Sequence, residues 1–328
     1  MKIVVTDDFF VDFGGISWQP IEQYGEVFRY ADTTDEDDAI VRIGNADVVF
    51  INRCRITEQV MAQCPNIIYI GTFGTGVDGV DLAAAHKYGI TVCNIPGYGK
   101  NAVAQMALAL LFEISRNVSL FDRKMKAQGW NSTTDDWLRT IPQMELGGKT
   151  IGIIGMGDIG YAVARVAMAM DMQVLAYRRR PDLALACEQL RFCDLEDLLS
   201  HSDIISIHCP LTDETRGMVD AAAIAKMKDG TILINTARGA VLCENDVVDA
   251  LNSGKLYAVG ADVFATEPPG NENALANHPR CIATPHVAWM PQQTRQRVID
   301  ISGENLRLFL AGNPQNVVVP RYDRQHRA

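Results

Sequence analysis

Three charged or polar side chains in the second half of the chain lie shortly after apolar runs that predict buried strands. Arg238, Glu267 and His286 each follow such a run by a few residues. The carboxyl ends of parallel strands form the edge at which open α/β sheets bind ligands. At such an edge a guanidinium can hold a carboxylate through two hydrogen bonds, and an imidazole can transfer a proton near neutral pH. The pattern therefore predicts a site that binds and protonates a small organic anion.

Each of these residues also has a structural explanation when it is considered alone. A sheet-end arginine commonly pairs with an acid, a loop glutamate is commonly solvated, and a lone histidine is commonly structural. Together they match the needs of 2-keto acid reduction: a hydride donor, a carboxylate anchor, an acid for the carbonyl oxygen, and a partner that keeps this acid protonated. Arg238 would be the anchor, His286 the acid and Glu267 its partner, with a nicotinamide as the hydride donor.

A glycine-rich turn predicts where such a donor would bind. Residues 155–160 read GMGDIG, between an apolar strand and a helical pattern of apolar residues. A second short strand, Gln173–Tyr177, follows, and in this context GxGxxG predicts a dinucleotide site. Gly155 permits the tight turn, Gly157 allows the pyrophosphate to approach the backbone, and Gly160 allows the helix to pack on the strand. The phosphates would meet unpaired N–H groups at the helix start.

The end of that second strand departs from the usual NAD site. An Asp or Glu there commonly accepts hydrogen bonds from the adenosine ribose, whereas this chain carries Arg178, Arg179 and Arg180. Arginine forms bidentate hydrogen bonds to phosphate groups. We therefore expect a pocket for the 2′-phosphate of NADP(H), with NAD(H) as the alternative cofactor. A solvated basic turn is the explanation that needs no ligand.

Composition limits the classes to which the chain can belong. Its 328 residues are 48% hydrophobic and 21% charged, which is typical of a globular protein of about two domains. The net charge of −10 and the pI near 5.1 argue against binding to nucleic acid or to an acidic membrane surface. No uninterrupted apolar stretch reaches the roughly 18 residues of a transmembrane helix. We predict a cytoplasmic protein, because the N-terminus MKIVVTDDFF shows no signal-peptide pattern and the eight cysteines, none in a CxxC pair, are typical of small apolar residues in a reducing compartment. We expect no bound metal, because neither the cysteines nor the histidines show metal-ligand spacing.

Strand-like and helix-like segments alternate along the chain, which predicts an α/β fold with parallel sheets and right-handed crossovers. We expect two Rossmann-like lobes, a doubly wound NAD(P)-binding domain and a smaller, flavodoxin-like substrate domain. The first would cover residues 101–289 and begin with an apolar linker helix at 101–117. The second would be discontinuous, with residues 1–100 and 290–328, because a last helix at Gln292–Ala311 returns to it. The other predicted strands are Lys2–Thr6, Glu26–Tyr30, Asp47–Asn52, Ile67–Gly71, Thr91–Asn94, Ile151–Ile154, Ile204–His208, Thr231–Asn235, Ala258–Ala261 and Ile282–Thr284. The other predicted helices include Asp35–Ile43, Glu58–Gln63, Leu82–Tyr88, Leu195–His201, Ala221–Lys226 and Glu244–Ser253.

Several short motifs between residues 71 and 289 occur in a fixed order. They are GTFGTGVD, NIPG, AVAQ, GMGDIG, HCPLT, NTARGAVL, GADVFATEP and TPHVAW. In this order of motifs the chain resembles the D-isomer-specific 2-hydroxyacid dehydrogenase family. The tail GENLRLFLAGNPQNVV and the segment PGYGKNAVAQ are similar to glycerate dehydrogenases, also called hydroxypyruvate/glyoxylate reductases.

The resemblance implies a role for each matching residue. Arg238 would hold the substrate carboxylate and polarise the carbonyl group, His286 would act as acid in reduction and base in oxidation, and Glu267 would hydrogen-bond to His286. Backbone N–H groups of Gly76 and Val77 would also hold the carboxylate. The cofactor side would contain Asp158 and Ile159 at the pyrophosphate, Thr236 and Asp262 near the nicotinamide, and also Pro210, Thr215, Ala237, His286 and Ala288.

Three further positions need separate interpretation. Arg178 replaces the family's acid after the second strand, which favours NADP(H). Gln105 stands where many relatives carry Glu, and the sequence does not say what this changes. Arg53 ends a strand of the first lobe, where it would either supply a second cation for a small anionic substrate or be an ordinary surface arginine.

The sequence thus predicts stereospecific, reversible reduction of a small 2-keto acid, such as glyoxylate or hydroxypyruvate, to its D-2-hydroxy acid by NADPH at a site between the lobes. One alternative is a dehydrogenase for another substrate, namely D-lactate, a phosphonate or formate. Another is a non-catalytic protein of the same fold that senses dinucleotide and binds partners. Relatives are usually dimers, so the resemblance also implies a homodimer.

Overall fold

A computed structural model describes residues 1–9, 11–130 and 136–320, and the chain divides into two compact units. The N-terminal unit contains Met1–Tyr98 and the described residues from Trp289 onward, and the C-terminal unit contains Gly99–Ala288. The N-terminal unit is built from strands β1 (Lys2–Val5), β2 (Glu26–Arg29), β3 (Val48–Ile51), β4 (Tyr69–Thr72), β5 (Thr91–Cys93) and β13 (Val317–Val319), and from helices α1 (Gln19–Glu22), α2 (Glu36–Ile43), α3 (Glu58–Gln63), α4 (Leu82–Tyr88) and α12 (Gln292–Leu310). The C-terminal unit is built from strands β6 (Thr150–Ile154), β7 (Gln173–Tyr177), β8 (Leu190–Phe192), β9 (Ile204–Ile207), β10 (Thr231–Asn235), β11 (Leu256–Ala261) and β12 (Cys281–Ala283), and from helices α5 (Lys100–Arg116), α6 (Val118–Gln128), α7 (Trp137–Thr140), α8 (Asp158–Ala169), α9 (Leu195–His201), α10 (Ala221–Lys226) and α11 (Glu244–Ser253).

The sheet of the N-terminal unit has the strand order β13-β5-β4-β3-β1-β2. Strands β1 to β5 pair in parallel, and β13 pairs antiparallel with β5. The order 2-1-3-4-5 is the flavodoxin-like arrangement, and it reverses between β1 and β3. Every residue of β3, β4 and β5 is buried, as expected for parallel strands covered on both faces.

Helix α12 belongs to the N-terminal unit although it follows the C-terminal unit in the chain. Val298 and Ile299 pack in an apolar cluster with residues of β1 and β3. Arg295 is only 5% exposed, and its guanidinium donates hydrogen bonds to the carbonyl oxygens of Val11 (3.0 Å) and Met290 (3.1 Å). Because a buried cation must find acceptors, these bonds fix the start of α12 against the loop that follows β1.

The sheet of the C-terminal unit has the order β12-β11-β10-β9-β6-β7-β8, and all its pairs are parallel. From β8 to β11 this is the doubly wound order 3-2-1-4-5-6, which reverses between β6 and β9. Helix α5 covers one face, where Leu110, Leu111 and Ile114 pack with Ile151 and Ile232. The predicted linker helix is therefore a core helix of this unit.

The α/β class predicted from the sequence, with two mainly parallel sheets, is confirmed. The predicted strands and helices agree with the structure to within two residues at each end. Helices α1, α6 and α7 and strands β8 and β13 are absent from the prediction, because they are short or, as in α6, bury no residue. Among the described residues, no single helix is long and apolar enough to cross a membrane; α5 and α6 pass that test only as a pair, bent by 52°.

Candidate active site

The glycine turn after β6 packs so tightly that two of its glycines have no room for a side chain. Gly155 has φ +98°, a left-handed conformation, and a Cβ there would lie 2.5 Å from the backbone nitrogen of Cys209. A Cβ on Gly160 would overlap the carbonyl oxygen of Gly155. These close approaches hold the start of α8 against the loop after β9, at the point where the strand order reverses.

The middle glycine of the turn faces open space. Apart from Gly157 and its two chain neighbours, no atom of the described residues lies within 4 Å of the position that a Cβ of Gly157 would take. The N–H groups of the next three residues, Asp158, Ile159 and Gly160, have no acceptor among the described residues. Unpaired N–H groups at a helix start, beside a space that a side chain would fill, form a cradle for an anion. The turn therefore fits the pyrophosphate of a dinucleotide.

Two buried polar atoms at the same sheet edge lack partners within the described part of the chain. His208 follows β9; its Nε2 lies 2.8 Å from Ser206 Oγ, and its Nδ1 is buried without a partner. Burial lowers the pKa of His208 to about 4, so the imidazole is neutral near pH 7. The hydroxyl of Thr236, after β10, is also buried and unpaired. Buried polar atoms normally have partners, so these two fit a site that receives a ligand or an ordered water.

Arg238 is presented by the loop that follows β10. The buried side chain of Asn235 accepts a hydrogen bond from Ala237 N (3.0 Å) and donates one to the carbonyl oxygen of Arg238 (3.0 Å). Gly239 packs against the backbone of Phe264 so closely that a Cβ would collide with it. The guanidinium is exposed and donates to the carbonyl oxygen of Ala237 (2.8 Å). The backbone around Arg238 is thus fixed, while its charged end is accessible to an anion.

Asp262 organises the loop that carries His286. Its carboxylate is 1% exposed and accepts hydrogen bonds from Thr284 Oγ1 (2.6 Å), Val287 N (3.0 Å) and Ala288 N (3.0 Å). The N–H of His286 donates to the carbonyl oxygen of Asp262 (2.8 Å). His286 has φ +55°, a conformation that costs a non-glycine residue about 1 kcal/mol or more. The hydrogen bonds around Asp262 hold His286 in it, and a cofactor contact of Asp262 or Ala288 stays a prediction.

The imidazole of His286 is oriented by Glu267, as the sequence predicted for this pair. His286 Nδ1 lies 2.6 Å from Glu267 Oε2, and Glu267 Oε1 accepts a hydrogen bond from Phe264 N (3.1 Å). Both side chains are partly exposed, at 32% and 28%. An ionised carboxylate can only accept, so Nδ1 carries the proton and Nε2 is left to exchange a proton with a ligand. This pair is the part of the site with the clearest chemical capability.

Glu244 holds the loop that carries Glu267, a role that the sequence analysis missed. Its Oε1 accepts a hydrogen bond from Ala265 N (2.7 Å), and its Oε2 accepts one from Asn273 Nδ2 (2.9 Å). Glu244 is the first residue of α11, where a negative charge also interacts favourably with the helix dipole. An acid at a helix start was the only signal in the sequence, and it is too common to indicate this role.

The structure separates the three arginines after β7. All three are exposed, but Arg179 forms an ion pair with Glu214 (3.0 Å), whereas Arg178 and Arg180 form none with a described residue. The predicted cofactor residue Thr215 has a structural role. Its hydroxyl donates to the carbonyl oxygen of Pro210 (2.7 Å) and accepts a hydrogen bond from Thr212 N (2.8 Å). The cofactor roles predicted for Arg178, Arg179, Arg180, Pro210 and Thr215 are not tested by these contacts.

In the N-terminal unit, the predicted substrate residues follow two neighbouring strands. Gly76 and Val77 come after β4, and their N–H groups donate to no acceptor in the described chain. Arg53 comes after β3, and its side chain is exposed. Free N–H groups and a guanidinium at one edge of a parallel sheet suit an anionic ligand. Within the described residues, no group of three or more His, Cys, Asp or Glu side chains could hold a metal ion.

Comparison with known proteins identifies similar chains along nearly the whole length. The family model described as "D-isomer specific 2-hydroxyacid dehydrogenase, NAD binding domain" matches residues 108–288. A hydroxypyruvate reductase of Blautia hydrogenotrophica is 45% identical over 97% of this chain and 99% of its own length. A glycerate dehydrogenase of Methylorubrum extorquens is 37% identical over 89% of this chain and 92% of its own. A solved acyclic imino acid reductase (Bsp5), in complex with NADPH and D-Arg, is 28% identical with a TM-score of 0.85, and the match covers 97% of this chain and 100% of that one.

Proposed function

The chain belongs to the D-isomer-specific 2-hydroxyacid dehydrogenase family, as its motifs predicted, and we propose that it reduces glyoxylate or hydroxypyruvate to the D-2-hydroxy acid with NADPH. The observation that carries the proposal is the hydrogen-bonded pair of Glu267 and His286 at the sheet edge that also presents Arg238. The choice of substrate is supported by the names of the two relatives.

The proposed reaction divides its work among three side chains. NADPH held by the glycine turn at residues 155–160 would supply the hydride that C2 of the keto acid receives. Arg238 holds the carboxylate bidentately and polarises the carbonyl group through its positive charge. The Nε2–H of protonated His286 donates its proton to the carbonyl oxygen as the C=O π pair shifts onto that oxygen, which completes the alcohol. Glu267 accepts the Nδ1–H throughout and stabilises the imidazolium from which the proton leaves.

A substrate panel tests this proposal directly. Oxidation of NADPH and NADH is followed with glyoxylate, hydroxypyruvate, pyruvate and a bulky aromatic 2-keto acid. We expect the highest kcat/KM with hydroxypyruvate or glyoxylate. Turnover of none of the four would contradict the proposed activity, and a preference for pyruvate or the aromatic acid would contradict the substrate class.

Arg238→Ala tests the anchor within the same assay. Loss of a bidentate, charge-assisted contact to the carboxylate is expected to lower kcat/KM about 10³-fold, with NADPH binding retained. Arg191→Ala is the matched control, because Arg191 lies on the edge strand β8 and forms an ion pair with Asp197 (2.7 Å). Equal effects of the two substitutions would contradict the role of Arg238.

We also propose a preference for NADPH over NADH, with Arg178 as the residue that binds the 2′-phosphate. Its support is the absence of an acid in the segment Tyr177–Pro181 and the exposed, unpaired state of Arg178 in the described chain. Arg178→Ala is expected to reduce the ratio of kcat/KM for NADPH to that for NADH about 10-fold or more. Arg179→Ala should have a smaller effect, because Arg179 pairs with Glu214. A wild-type preference for NADH would contradict the proposal.

A homodimer is proposed from the surface of α6. No residue of this helix is buried, and Val118 (62% exposed), Met125 (55%) and the nearby Trp130 (68%) leave apolar area in water. Such a surface is typical of a subunit contact. Light scattering after gel filtration should give twice the chain mass, and Met125→Lys should shift the protein toward the monomer. A wild-type monomer would contradict the proposal.

The cytoplasm is the proposed location. All eight cysteines are free thiols, although five of them are at least partly accessible, which suits a reducing compartment. Cell fractionation with an antibody against the chain tests this, and recovery outside the cytoplasmic fraction would contradict it.

A further inference from the structure

A buried carboxylate without a role in the proposed reaction lies just after β1. Asp7 is 4% exposed. Its Oδ1 accepts hydrogen bonds from Thr6 Oγ1 (2.7 Å) and Asn52 N (2.9 Å), and its Oδ2 accepts them from Cys54 N (2.9 Å) and from Arg53 N. Three successive backbone N–H groups of one loop therefore converge on one side chain. A buried carboxylate is stable in such a place because charge-assisted hydrogen bonds replace its hydration.

This cluster lies where ligands bind in flavodoxin-like sheets. The strand order of the N-terminal unit reverses between β1 and β3, and Asp7 joins the ends of these two strands. The next strand in the sheet, β4, is followed by the free N–H groups of Gly76 and Val77. Asp7 thus fixes the backbone of Arg53 at the edge that also presents two anion-binding amides.

The contacts of Asp7 support a positioning role, because neither Asp7 nor Cys54 is suited to react with a substrate. Burial, to which the charge of Asp7 adds, raises the pKa of the Cys54 thiol to about 11, so this cysteine is not a nucleophile near pH 7. The Asp7 carboxylate is enclosed by its four donors and 4% exposed, so it does not itself reach a substrate. The exposed group that it controls is the side chain of Arg53.

We propose that Asp7 is a positioning residue for substrate binding, which acts by fixing the 52–54 loop so that Arg53 meets the anionic 2-keto acid beside the amides of Gly76 and Val77. The proposal rests on the proposed function. It assigns Asp7 to substrate affinity and not to the hydride or proton transfer. A purely structural aspartate would affect stability without a selective effect on KM.

Asp7→Asn is the first test. The carboxamide keeps the size of the side chain, but replaces one acceptor oxygen with an NH2 group that faces backbone N–H donors. With hydroxypyruvate as the probe, KM is expected to rise about 10-fold, while kcat changes less than about 3-fold. The matched control is Asp47→Asn at the opposite edge of the same sheet, where the carboxylate accepts one hydrogen bond, from Lys2 N (2.8 Å). The control should leave KM unchanged; the same KM for Asp7→Asn as for wild type would overturn the proposal.

A double-mutant cycle distinguishes action through Arg53 from a general loosening of the fold. In an Arg53→Ala background, Asp7→Asn should still lower the melting temperature but should raise KM by less than about 2-fold, because its effect needs the arginine. If Asp7→Asn raised KM in the Arg53→Ala background to within about 2-fold of the 10-fold rise expected with Arg53 present, the proposal would be overturned.

A milder variant keeps the test valid if Asp7→Asn does not fold. Thr6→Val removes only one of the four hydrogen bonds to the carboxylate and should raise KM about 2-fold to 3-fold in the presence of Arg53 and not in its absence. An unchanged KM in the folded Thr6→Val protein would overturn the proposal. Failure of wild type to reduce any keto acid would refute the proposed function instead, so the two failures are distinguishable.

Discussion

The two sheets each place a buried aspartate at the end of a strand, and the two aspartates hold different kinds of residue. We call these places the Asp7 edge, with Asp7, the 52–54 loop, Gly76 and Val77, and the Asp262 edge, with Asp262, Arg238, Glu267 and His286. At the Asp7 edge the carboxylate accepts three successive backbone N–H groups. At the Asp262 edge it accepts two, together with the hydroxyl of Thr284.

The two edges differ in which part of the presented residue, backbone or side chain, is held by the described hydrogen bonds. His286 is fixed twice, by its left-handed backbone (φ +55°) and by the contact of its Nδ1 with Glu267. At the Asp7 edge the hydrogen bond to Asp7 fixes the backbone of Arg53, whose side chain is long, flexible in type and exposed to solvent. Proton transfer needs a ring at a defined distance and angle, whereas charge attraction tolerates a longer, looser side chain. On the roles that we propose, the Asp262 edge would serve chemistry and the Asp7 edge affinity.

The largest predicted effect separates the two edges. His286→Gln removes the proton donor and is expected to lower kcat about 10³-fold, with NADPH binding unchanged in a fluorescence titration. His201→Gln, at the end of α9, is the control and should retain wild-type kcat. Wild-type turnover by His286→Gln would end the assignment of chemistry to the Asp262 edge.

A smaller effect is expected when only the negative charge beside His286 is removed. Glu267→Gln keeps an oxygen that can accept from His286 Nδ1 but removes the negative charge, and kcat should fall about 10-fold to 100-fold. Glu272→Gln, an exposed residue of the same loop, should have no effect. If the two variants have equal kcat, the negative charge of Glu267 does not support proton transfer by His286.

The sequence predicted the components of both edges better than the connections within them. Alternating apolar segments and the GMGDIG turn predicted the sheets, and the family motifs predicted Arg238, Glu267 and His286. The contacts of Asp7 join residues 45 to 47 positions apart, and those of Asp262 join residues 22 to 26 apart. Such hydrogen bonds link loops of different strands and leave no periodic pattern, so Asp7 and Glu244 could not be identified before the fold was known.

The C-terminal unit should also lose stability at low pH for a reason of its own, because its His208 imidazole is buried and neutral. Its pKa of about 4 lies below the ordinary 6.5, so the unfolded state binds more protons between these values and stability falls as the pH drops from 6.5 toward 4. At about pH 4.5 this group should reduce the unfolding free energy by about 2–3 kcal/mol relative to pH 7. In urea unfolding experiments, the His208→Gln variant should not show this part of the pH-dependent decrease in unfolding free energy. An identical pH dependence in wild type and variant would show that His208 is not buried and neutral.

A further effect, on cofactor affinity alone, is predicted for the glycine turn at residues 155–160. Gly157→Ala adds a methyl group that would meet no described residue within 4 Å other than its chain neighbours, at an ordinary φ of −97°, so the melting temperature should not change. The KM for NADPH should rise about 10-fold if that space receives the pyrophosphate. Gly155→Ala is the contrast, because its φ of +98° and the nearby Cys209 backbone predict a loss of stability. An unchanged KM in Gly157→Ala would place the cofactor elsewhere.

The rate of hydride transfer in a single turnover tests the division of roles most directly. Asp262→Asn and Asp7→Asn are mixed with NADPH and saturating hydroxypyruvate, and the loss of reduced cofactor is followed before product release. We predict that Asp262→Asn slows this step about 100-fold, because the loop of His286 loses one of its two acceptor oxygens, while Asp7→Asn proceeds at the wild-type rate. Equal rates in the two variants, or a slow step in Asp7→Asn alone, would contradict the account.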